Sequence, residues 1–489
     1  MNHIINNFEQ YEAVIGLEVH VQLSTASKAF CTDSASFGSL PNQNISPVSL
    51  GLPGALPLTN EKAVKYATKL GLAINSKINR FNFFDRKNYF YADLPKGYQI
   101  TQDNEPICLG GSLKIRLDDG SEKDIILNRI HMEEDAGKSI HEMDPNYSYI
   151  DLNRAGVALL EVVTEPMLST GEEAAAYLTE LRKLVRYLDI CDGNMEEGSM
   201  RCDANISVRL KGEKKLGNRC EVKNLNSIKN VQRAIEHEIE RQIKLLNKGK
   251  AIDQNTLNFD ANTGKTSPLR SKEMANDYRY FPEPDLLPLS ISEEFLEAVK
   301  AEMPALPEEL YQKFTKEMNL PAYDALVLTA EKAMADCFLE ITAHTKNYKL
   351  ASNWVMGTLR SYLKETQQSF ADLQIPAQEI AAIIDLVDGG EINNNQAKNK
   401  LFAALAKNPQ AKVSQLVEEL NLIHKKCDNE LDAFIMAALN KFPDKVIEYH
   451  NGKKGVIGMF MGEVMKLSHG KVDPKKANQL LLEKLEQAK

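Results

Sequence analysis

The stretch Ile15-Gly16-Leu17-Glu18-Val19-His20-Val21-Gln22-Leu23 alternates strictly between apolar and polar side chains. Side chains that alternate with a period of two point to opposite faces of a strand, so this stretch predicts a half-buried β-strand. Its apolar residues would face a core, and its polar residues would share the open face. The strand therefore presents a carboxylate, Glu18, and an imidazole, His20, side by side.

Two further stretches place acidic groups on predicted strands. Residues 201–209 alternate like the first stretch and set Asp203 among five polar residues on one face, which indicates either the wall of a site or a wet surface. Residues 156–166 form an apolar run with Glu161 in its middle. Because burying a bare carboxylate costs several kcal/mol, Glu161 must be paired, protonated or bound to a metal.

Three consecutive carboxylates, Glu133, Glu134 and Asp135, follow another apolar run and end at a Gly-Lys turn. We interpret this cluster as the acidic floor of a metal-assisted active site. The alternative is a solvated strand end, because charge clusters are usually exposed. Carboxylates with few nitrogen ligands suit Mg²⁺ or Mn²⁺ better than Zn²⁺, and such ions suggest phosphoryl transfer.

No P-loop accompanies these carboxylates. Gly264-Lys265-Thr266 is similar to the end of such a loop, but Phe259 occupies the position that requires the first glycine.

Length and composition predict a soluble globular protein of roughly three domains. The chain has 489 residues, of which 43% are apolar and 26% are charged. The N-terminus lacks the features of a signal peptide and no apolar run reaches membrane-spanning length, so we expect a cytoplasmic protein without membrane contact. Seven cysteines without a CxxC pair predict reduced core residues rather than a disulfide framework.

Charge is distributed unevenly along the chain. The net charge of −9 argues against a protein that coats nucleic acid without regard to sequence. Residues 406–489, however, hold 14 Lys, no Arg and 11 Asp or Glu, which gives this tail a net charge of +3. Lys453 and Lys454 lie there in a loop bounded by glycines.

The pattern of predicted elements changes near residue 290. Before it, short strands mix with helices over about 61–72 and from about Ser227; after 294, helical stripes dominate. We therefore predict the α+β fold class. Residues 1–293 would form a mixed-sheet domain, residues 294–405 an all-α helical domain, and residues 406–489 a small all-α tail domain.

Residues 84–99 interleave basic and aromatic side chains, including Arg86, Lys87, Tyr89 and Tyr91. Such a surface can stack a base and hold phosphates. The alternative is a strand whose aromatic side chains pack inward, followed by a Pro-Lys-Gly turn.

In their order along the chain, these motifs are similar to those of one family, the B subunits of aspartyl/glutamyl-tRNA(Asn/Gln) amidotransferases (the GatB/GatE family). The likeness runs from about Tyr11 to the C-terminus. The segments that carry it are residues 16–20, 84–89, 131–138, 151–154, 195–199, 201–205 and 277–285.

The resemblance implies a ligase that acts in two steps. ATP, a co-substrate, would phosphorylate the side-chain carboxylate of mischarged Glu-tRNA(Gln) or Asp-tRNA(Asn), and ammonia would displace the phosphate. The ammonia would come from an amidase (glutaminase) A subunit, held by a small C subunit in a heterotrimer. The first domain would be the catalytic domain, called the cradle, and the tail would bind tRNA. Consistent with this division, the chain shows no Gly/Ser-rich amidase segment.

The resemblance also assigns the residues of the site. The catalytic residues, which also hold Mg²⁺, would be Glu18, His20, Glu134, Glu161 and Asp203, with Glu133 and Glu197 as neighbours. Alternation along a strand cannot aim three consecutive carboxylates at one ion, so we expect Glu134 to face it and Glu133 and Asp135 to point elsewhere. The residues expected to bind substrate or tRNA are Arg86, Lys87, Tyr89, Tyr91, Tyr278, Arg279, Tyr280, Lys453 and Lys454.

One departure from the family concerns zinc. Many members carry four cysteines in the first loop, and the corresponding positions here are Cys31, Asp33, Ser46 and Ser49. One thiol cannot make such a site, so we predict no structural zinc.

Two other functions stay open on the sequence. The basic tail alone would serve a non-catalytic tRNA scaffold. The carboxylates would also suit a stand-alone Mg²⁺-dependent phosphohydrolase, which would turn over ATP without mischarged tRNA.

Overall fold

A computed structural model describes residues 9–271, 278–422, 428–468, 472 and 474–487. The chain divides into two compact units, one up to Pro307 and the other from Glu308. Helix Glu293–Ala301 belongs to the first unit, where it packs against helix Glu61–Ala73 and Lys65 Nζ lies 2.6 Å from Glu302 Oε1. The finer division into three domains stays a prediction.

The first unit is built around a mixed sheet with helices, which confirms the predicted α+β class. Its helices are α1 (Glu61–Ala73), α2 (Gly171–Tyr187), α3 (Ile228–Asn247) and α4 (Glu293–Ala301). Its strands are β1 (Tyr11–Gln22), β2 (Lys77–Ile78), β3 (Phe81–Asn82), β4 (Asp85–Asn88), β5 (Tyr98–Thr101), β6 (Cys108–Leu109), β7 (Ser112–Arg116), β8 (Glu122–Glu134), β9 (Lys138–Asp144), β10 (Tyr147–Asp151), β11 (Ala158–Thr164), β12 (Met200–Leu210), β13 (Cys220–Leu225), β14 (Asn255–Asp260), β15 (Lys265–Ser271), β16 (Phe281–Pro282) and β17 (Leu289–Ser290).

The main sheet runs in the order β15-β14-β13-β12-β1-β11-β8-β5-β4-β16. The β13–β14 pair is parallel and the other pairs along this path are antiparallel. Strand β1 is central, and its side chains alternate between buried and half-buried as predicted. The two other strands predicted with acidic groups, β11 and β12, flank it. Three acidic segments that are distant in sequence therefore share one part of the sheet.

Helices α2 and α3 cover the apolar face of this sheet. Each begins where a side chain caps the first turn: Thr170 Oγ1 accepts from Glu173 N at 3.0 Å, and Ser227 Oγ accepts from Asn230 N at 3.2 Å. Tyr177 and Ile235, which belong to their apolar stripes, are fully buried in the core that also holds Leu17 and Val19. The opposite face of the sheet is left for polar residues.

The second unit is helical in the residues that the structure describes. Its α-helices are Pro307–Gln312, Ala322–Leu328, Lys332–Thr342, Tyr348–Asn353, Arg360–Glu365, Ala377–Asp388, Asn394–Gln396, Ala403–Lys407, Val413–Glu419, Asp428–Lys441, Pro443–His450, Ile457–Leu467 and Pro474–Gln487. Short π-helical turns cover Lys313–Glu317, Trp354–Leu359 and Ala397–Phe402, and 3₁₀ turns cover Phe370–Asp372 and Lys454–Val456. Trp354 is buried in this unit, and an apolar cluster within residues 431–485 forms a core of its own.

No helix among the described residues is both long enough and apolar enough to span a membrane. Of the cysteines predicted as core residues, Cys427 lies outside the described part of the chain and Cys31 is half-buried. The others are buried: Cys108, Cys191, Cys202, Cys220 and Cys337.

Candidate active site

Six ionisable side chains from five neighbouring strands line the open face of the sheet, and we call them the acidic row. The acidic row consists of Glu18 and His20 on β1, Glu133 on β8, Glu161 on β11, Asp203 on β12 and Glu221 on β13. Residues paired directly across neighbouring strands point to the same face. The pairing of His20 with Glu161 and of Glu18 with Asp203 therefore assembles the row.

The first half of the acidic row is centred on His20. Its Nε2 atom lies 3.4 Å from Glu133 Oε1 and 3.9 Å from Glu161 Oε2. One candidate ligand atom from each of these residues lies within 4.8 Å of the other two. Behind them, His131 Nε2 lies 2.9 Å from Glu161 Oε2 and holds this carboxylate in place. The sequence prediction did not single out His131, although it precedes Glu133 by two residues and so shares its face.

The second half joins Glu18, Asp203 and Glu221, whose candidate ligand atoms also lie within 4.8 Å of one another. Lys223 pairs with Asp203, and its Nζ atom lies 2.9 Å from Glu221 Oε1. Asn205 Nδ2 donates to Glu18 Oε1 at 3.0 Å. Glu221 was not predicted as a site residue, although it lies on an alternating stretch next to Lys223.

The two halves differ in their charge balance. Burial raises the pKa of Glu18, and the nearby carboxylates of Glu161, Glu221 and Asp203 raise it further. Burial alone would raise the pKa of Glu133, but hydrogen bonds from His131 and His20 hold it well below its usual range. The pKa of His131, which burial alone would lower, is raised to about 9 by Glu133 and Glu161. Imidazoles thus balance the first half, whereas excess negative charge collects near Glu18.

Both halves fit a hard divalent cation. The first offers one imidazole with two carboxylates, and the second offers three carboxylates, which are donor sets for Mg²⁺ or Mn²⁺ rather than Zn²⁺. Lys223 already neutralises part of the second half and would compete with an ion there.

The predicted placement of Glu134 and Glu133 is wrong. Glu161 pairs with His131 in the β8–β11 register, so His131, Glu133 and Asp135 face the acidic row and Glu134 faces away from it. Glu134 is buried in an ion pair with Lys96 and accepts from Ile100 N at 2.8 Å. Side chains do alternate along β8, but the face that each one occupies follows from the pairing of His131 with Glu161, which the sequence alone does not show.

Two other acidic residues that the sequence analysis singled out lie outside both halves of the acidic row. Asp135 lies 2.9 Å from Arg201 Nη2 and 3.4 Å from Arg154 Nε, so arginines neutralise it. Glu197, expected as a neighbour, lies on an exposed turn whose backbone N–H donates to Asn194 Oδ1 at 3.3 Å.

A cavity of about 610 Å³ opens beside the His20 half, and we call it the Lys87 cavity. Acidic-row residues His20, Glu133 and Asp203 form one wall. The cations of three basic residues line the same space: Lys87, Arg201 and Lys223. An acidic wall that faces basic groups suits an anionic substrate held next to bound cations.

The four tyrosines that are expected to bind substrate or tRNA form a series of edge-to-face contacts, which we call the tyrosine ladder. Ring centroids lie 5.9 Å apart for Tyr91 and Tyr89, 6.1 Å for Tyr89 and Tyr278, and 6.0 Å for Tyr278 and Tyr280. Lys87 Nζ lies 4.9 Å from the Tyr278 ring. Tyr89 lines the Lys87 cavity and Tyr91 is exposed, so the ladder leads from the cavity to the surface.

The two arginines that are expected to bind substrate or tRNA are not part of the tyrosine ladder. Arg86 is engaged within the protein, because Glu283 accepts from its Nε and Nη2 atoms at 2.7 Å and its guanidinium lies 4.2 Å from the Tyr98 ring. Arg279, next to the ladder, is exposed.

In the second unit, Lys453 is exposed, and Lys454 Nζ lies 3.9 Å from the Tyr449 ring. Both lysines are therefore at the surface of the basic tail, as a phosphate contact requires.

The loop predicted to lack zinc is tied together by hydrogen bonds. Ser49 Oγ donates to Asp33 Oδ2 at 2.7 Å and accepts from Ser46 N at 2.9 Å. The absence of zinc stays a prediction.

Comparison with known proteins identifies the family. Residues 13–297 match the GatB/GatE catalytic domain, and residues 336–485 match the GatB domain. Three curated proteins, each named as the B subunit of an aspartyl/glutamyl-tRNA(Asn/Gln) amidotransferase, are similar to nearly the whole chain. The protein of Thermodesulfovibrio yellowstonii is 46% identical over 98% of this chain and 100% of its own length. That of Rickettsia rickettsii is 45% identical over 99% and 100%, and that of Syntrophotalea carbinolica is 46% identical over 97% and 99%. The chain therefore belongs to the GatB/GatE family of amidotransferase B subunits.

Proposed function

We propose that this chain uses ATP to phosphorylate the side-chain carboxylate of Glu-tRNA(Gln), Asp-tRNA(Asn) or both. Ammonia then displaces the phosphate to form Gln-tRNA(Gln) or Asn-tRNA(Asn). The names of the relatives support the amidotransferase role. The ATP-dependent step is carried by one observation: the acidic row sets two groups of candidate metal ligands on one sheet face beside a cavity with basic residues.

Mg²⁺ or Mn²⁺ would be held by the two halves of the acidic row and would neutralise charge on the phosphates of ATP. The protein fixes the positions of the side chains that would bind the metal. His131 holds Glu161 through its 2.9 Å contact, and Asn205 holds Glu18 through its 3.0 Å hydrogen bond. Such partners of metal ligands orient them and keep the site ready for its substrates.

The acceptor carboxylate would enter the Lys87 cavity, where Lys87 and Arg201 supply positive charge. The tyrosine ladder would stack the terminal bases of tRNA, because unpaired bases bind on aromatic side chains. Lys453 and Lys454 would contact tRNA phosphates from the tail.

We further propose that the chain works in a cytoplasmic heterotrimer with an amidase A subunit and a small C subunit. The relatives' designation as B subunits supports such an assembly. The A subunit would release ammonia from glutamine.

The test measures amide formation by the purified complex on each mischarged tRNA, with ATP and with ammonium chloride in place of glutamine. Glu161→Gln removes one carboxylate of the His20 half and should lower the rate by about 100-fold or more, since disturbing even an outer partner of a metal site costs about 10–100-fold. Glu172→Gln, on the exposed first turn of α2, is the control and should leave the rate unchanged.

The same experiment separates the alternatives. Glu161→Gln should bind mischarged tRNA as well as the wild type does, because tRNA contacts lie on other residues. A rate equal to that of the wild type would refute the proposal and favour a scaffold. Rapid ATP turnover without mischarged tRNA would favour a phosphohydrolase.

A further inference from the structure

The tyrosine ladder joins two segments of the chain that are far apart in sequence. Its first two tyrosines follow strand β4, and the other two belong to residues 278–285, which we call the strap. The strap lies at the edge of the main sheet, where Phe281 and Pro282 form β16 and pair with β4. So short a strand, with a proline that has no N–H group to donate, fixes a segment only weakly. Other contacts must therefore set the position of the strap.

Arg86 on β4 anchors one end of the strap. Its Nε and Nη2 atoms each donate to a carboxylate oxygen of Glu283 at 2.7 Å, and Nη2 also donates to Asp285 Oδ2 at 3.1 Å. The Glu283 side chain is fully buried and that of Arg86 is 19% exposed. A forked pair of this kind fixes orientation as well as distance. The guanidinium of Arg86 therefore holds the strap against the sheet.

Asn88, at the end of β4, anchors the other end. Its backbone N–H donates to Tyr278 O at 2.9 Å, and its side-chain Nδ2 atom donates to Tyr278 O at 3.2 Å and to Arg279 O at 2.9 Å. One amide side chain thus binds the carbonyl groups of two successive strap residues. Because Tyr89 follows Asn88 directly, the contact also fixes the strap relative to the first half of the ladder.

The backbone is strained where the strap carries its two tyrosines. Arg279, between Tyr278 and Tyr280, has a φ of +46°, a left-handed conformation that is uncommon for residues other than glycine. Residues in such conformations persist where the surrounding contacts hold them, and they cluster at binding and active sites. The hydrogen bond from Asn88 to Arg279 O is one such contact, and it helps to set the angle between the two tyrosine side chains.

Tyr278 is the ring that joins the two halves of the ladder. Its centroid lies 6.1 Å from that of Tyr89, which lines the Lys87 cavity, and 6.0 Å from that of Tyr280. A strap that moved away from β4 would separate both of its tyrosines from Tyr89. The ladder would then no longer lead from the cavity to the surface.

We propose that Arg86 and Asn88 are positioning residues for the end of tRNA, because they hold the strap where its tyrosines complete the ladder. This inference rests on the proposed function, which gives the ladder its role in stacking bases. It replaces the expectation that Arg86 itself binds tRNA. A merely structural role would lower the stability of the protein and leave the KM for mischarged tRNA unchanged.

Arg86→Lys separates positioning from direct contact with tRNA. Lysine keeps the charge that a phosphate contact needs, but it cannot form the fork with Glu283. In the purified complex the variant should raise the KM for mischarged tRNA by about tenfold, which is in the range that one stacked base contributes. The kcat and the KM for ATP should not change. A KM for tRNA equal to that of the wild type would overturn the proposal.

The matched control is Arg209→Lys. Arg209 lies on β12 of the same sheet, and its Nε atom lies 2.6 Å from Glu12 Oε1 in a half-exposed pair. This variant also replaces the arginine of an ion pair, but it leaves the strap intact and should not alter the KM for tRNA. Equal effects of the two variants would contradict the proposal.

A second variant changes no charge. Asn88→Leu has nearly the shape of asparagine but lacks the donor that binds Tyr278 O and Arg279 O. It should raise the KM for mischarged tRNA as Arg86→Lys does. Asn262→Leu, on the exposed turn between β14 and β15, is its control and should leave the KM unchanged. Equal values for Asn88→Leu and its control would refute the role of Asn88.

Stacking can be measured directly with tRNA that carries 2-aminopurine in place of its terminal adenine, since stacking quenches the fluorescence of this base. Bound at saturation, the probe should be quenched on the wild-type complex and brighter on Arg86→Lys and Asn88→Leu. Equal quenching on all three would refute this inference and leave the proposed function standing. A probe that stays bright on the wild type would refute the stacking role of the ladder and this inference together.

Discussion

Glu133 and Glu134 are adjacent in sequence, and their side chains lie on opposite faces of β8. Glu133 lies in the acidic row with His20 and Glu161, whereas Glu134 forms a buried ion pair with Lys96 behind the row. On one face, like charges are gathered around positions suited to a cation; on the other, one negative charge has its own positive partner. The chemistry of a carboxylate on a strand is therefore set by the face that its side chain occupies and not by the motif that contains it.

The buried ion pair between Lys96 and Glu134 should contribute strongly to the stability of the fold. Lys96→Met removes the partner of Glu134 in a pair whose side chains are 9% and 4% exposed. An unpaired buried charge costs about 3–5 kcal/mol, so the free energy of unfolding in urea should fall by that amount.

A matched control is the exposed pair Lys244–Glu240 on α3. Lys244→Met should cost no more than about 0.5 kcal/mol, because exposed helix pairs contribute little. Equal losses from both variants would show that Glu134 is not desolvated as the structure describes.

Metal binding should distinguish Glu133 from Glu134. Mn²⁺ affinity, measured by electron paramagnetic resonance, should fall by about 100-fold in Glu133→Gln, since changes even to outer partners cost about 10–100-fold. Glu134→Gln should bind Mn²⁺ as the wild type does, because its side chain faces away from the row. If Glu134→Gln lost the ion and Glu133→Gln kept it, the register of β8 would be wrong.

His131 should strengthen metal binding by holding Glu161 in place. His131→Phe keeps a buried ring but removes the contact with Glu161. Mn²⁺ affinity should fall by about tenfold, as is usual when a metal ligand loses its orienting partner. Titration calorimetry measures this change, and an unaltered affinity would mean that His131 only fills space.

Much of the first unit could be predicted from the sequence, because alternation and helix caps are local signals. Strand β1 and the span of helix α1 were predicted from neighbouring residues alone. The roles of Glu133 and Glu134 could not be predicted in this way. Which of the two side chains faces the acidic row depends on the pairing of His131 with Glu161, two residues that are 30 positions apart in sequence. Glu221 was missed for the same reason, since its place in the row follows from its pairing with Asn205.

The clustered negative charges of the acidic row should slightly lower the stability of the metal-free protein. Glu18→Gln keeps an acceptor for the 3.0 Å hydrogen bond from Asn205 and removes one of the clustered negative charges. Like charges held close together destabilise a fold, so in EDTA the variant should be more stable than the wild type by on the order of 1 kcal/mol. Added Mn²⁺ should reverse the order, because it stabilises only the protein that binds it well. Urea unfolding with and without the ion measures both changes. A variant less stable than the wild type in EDTA would mean that Lys223 already balances the row.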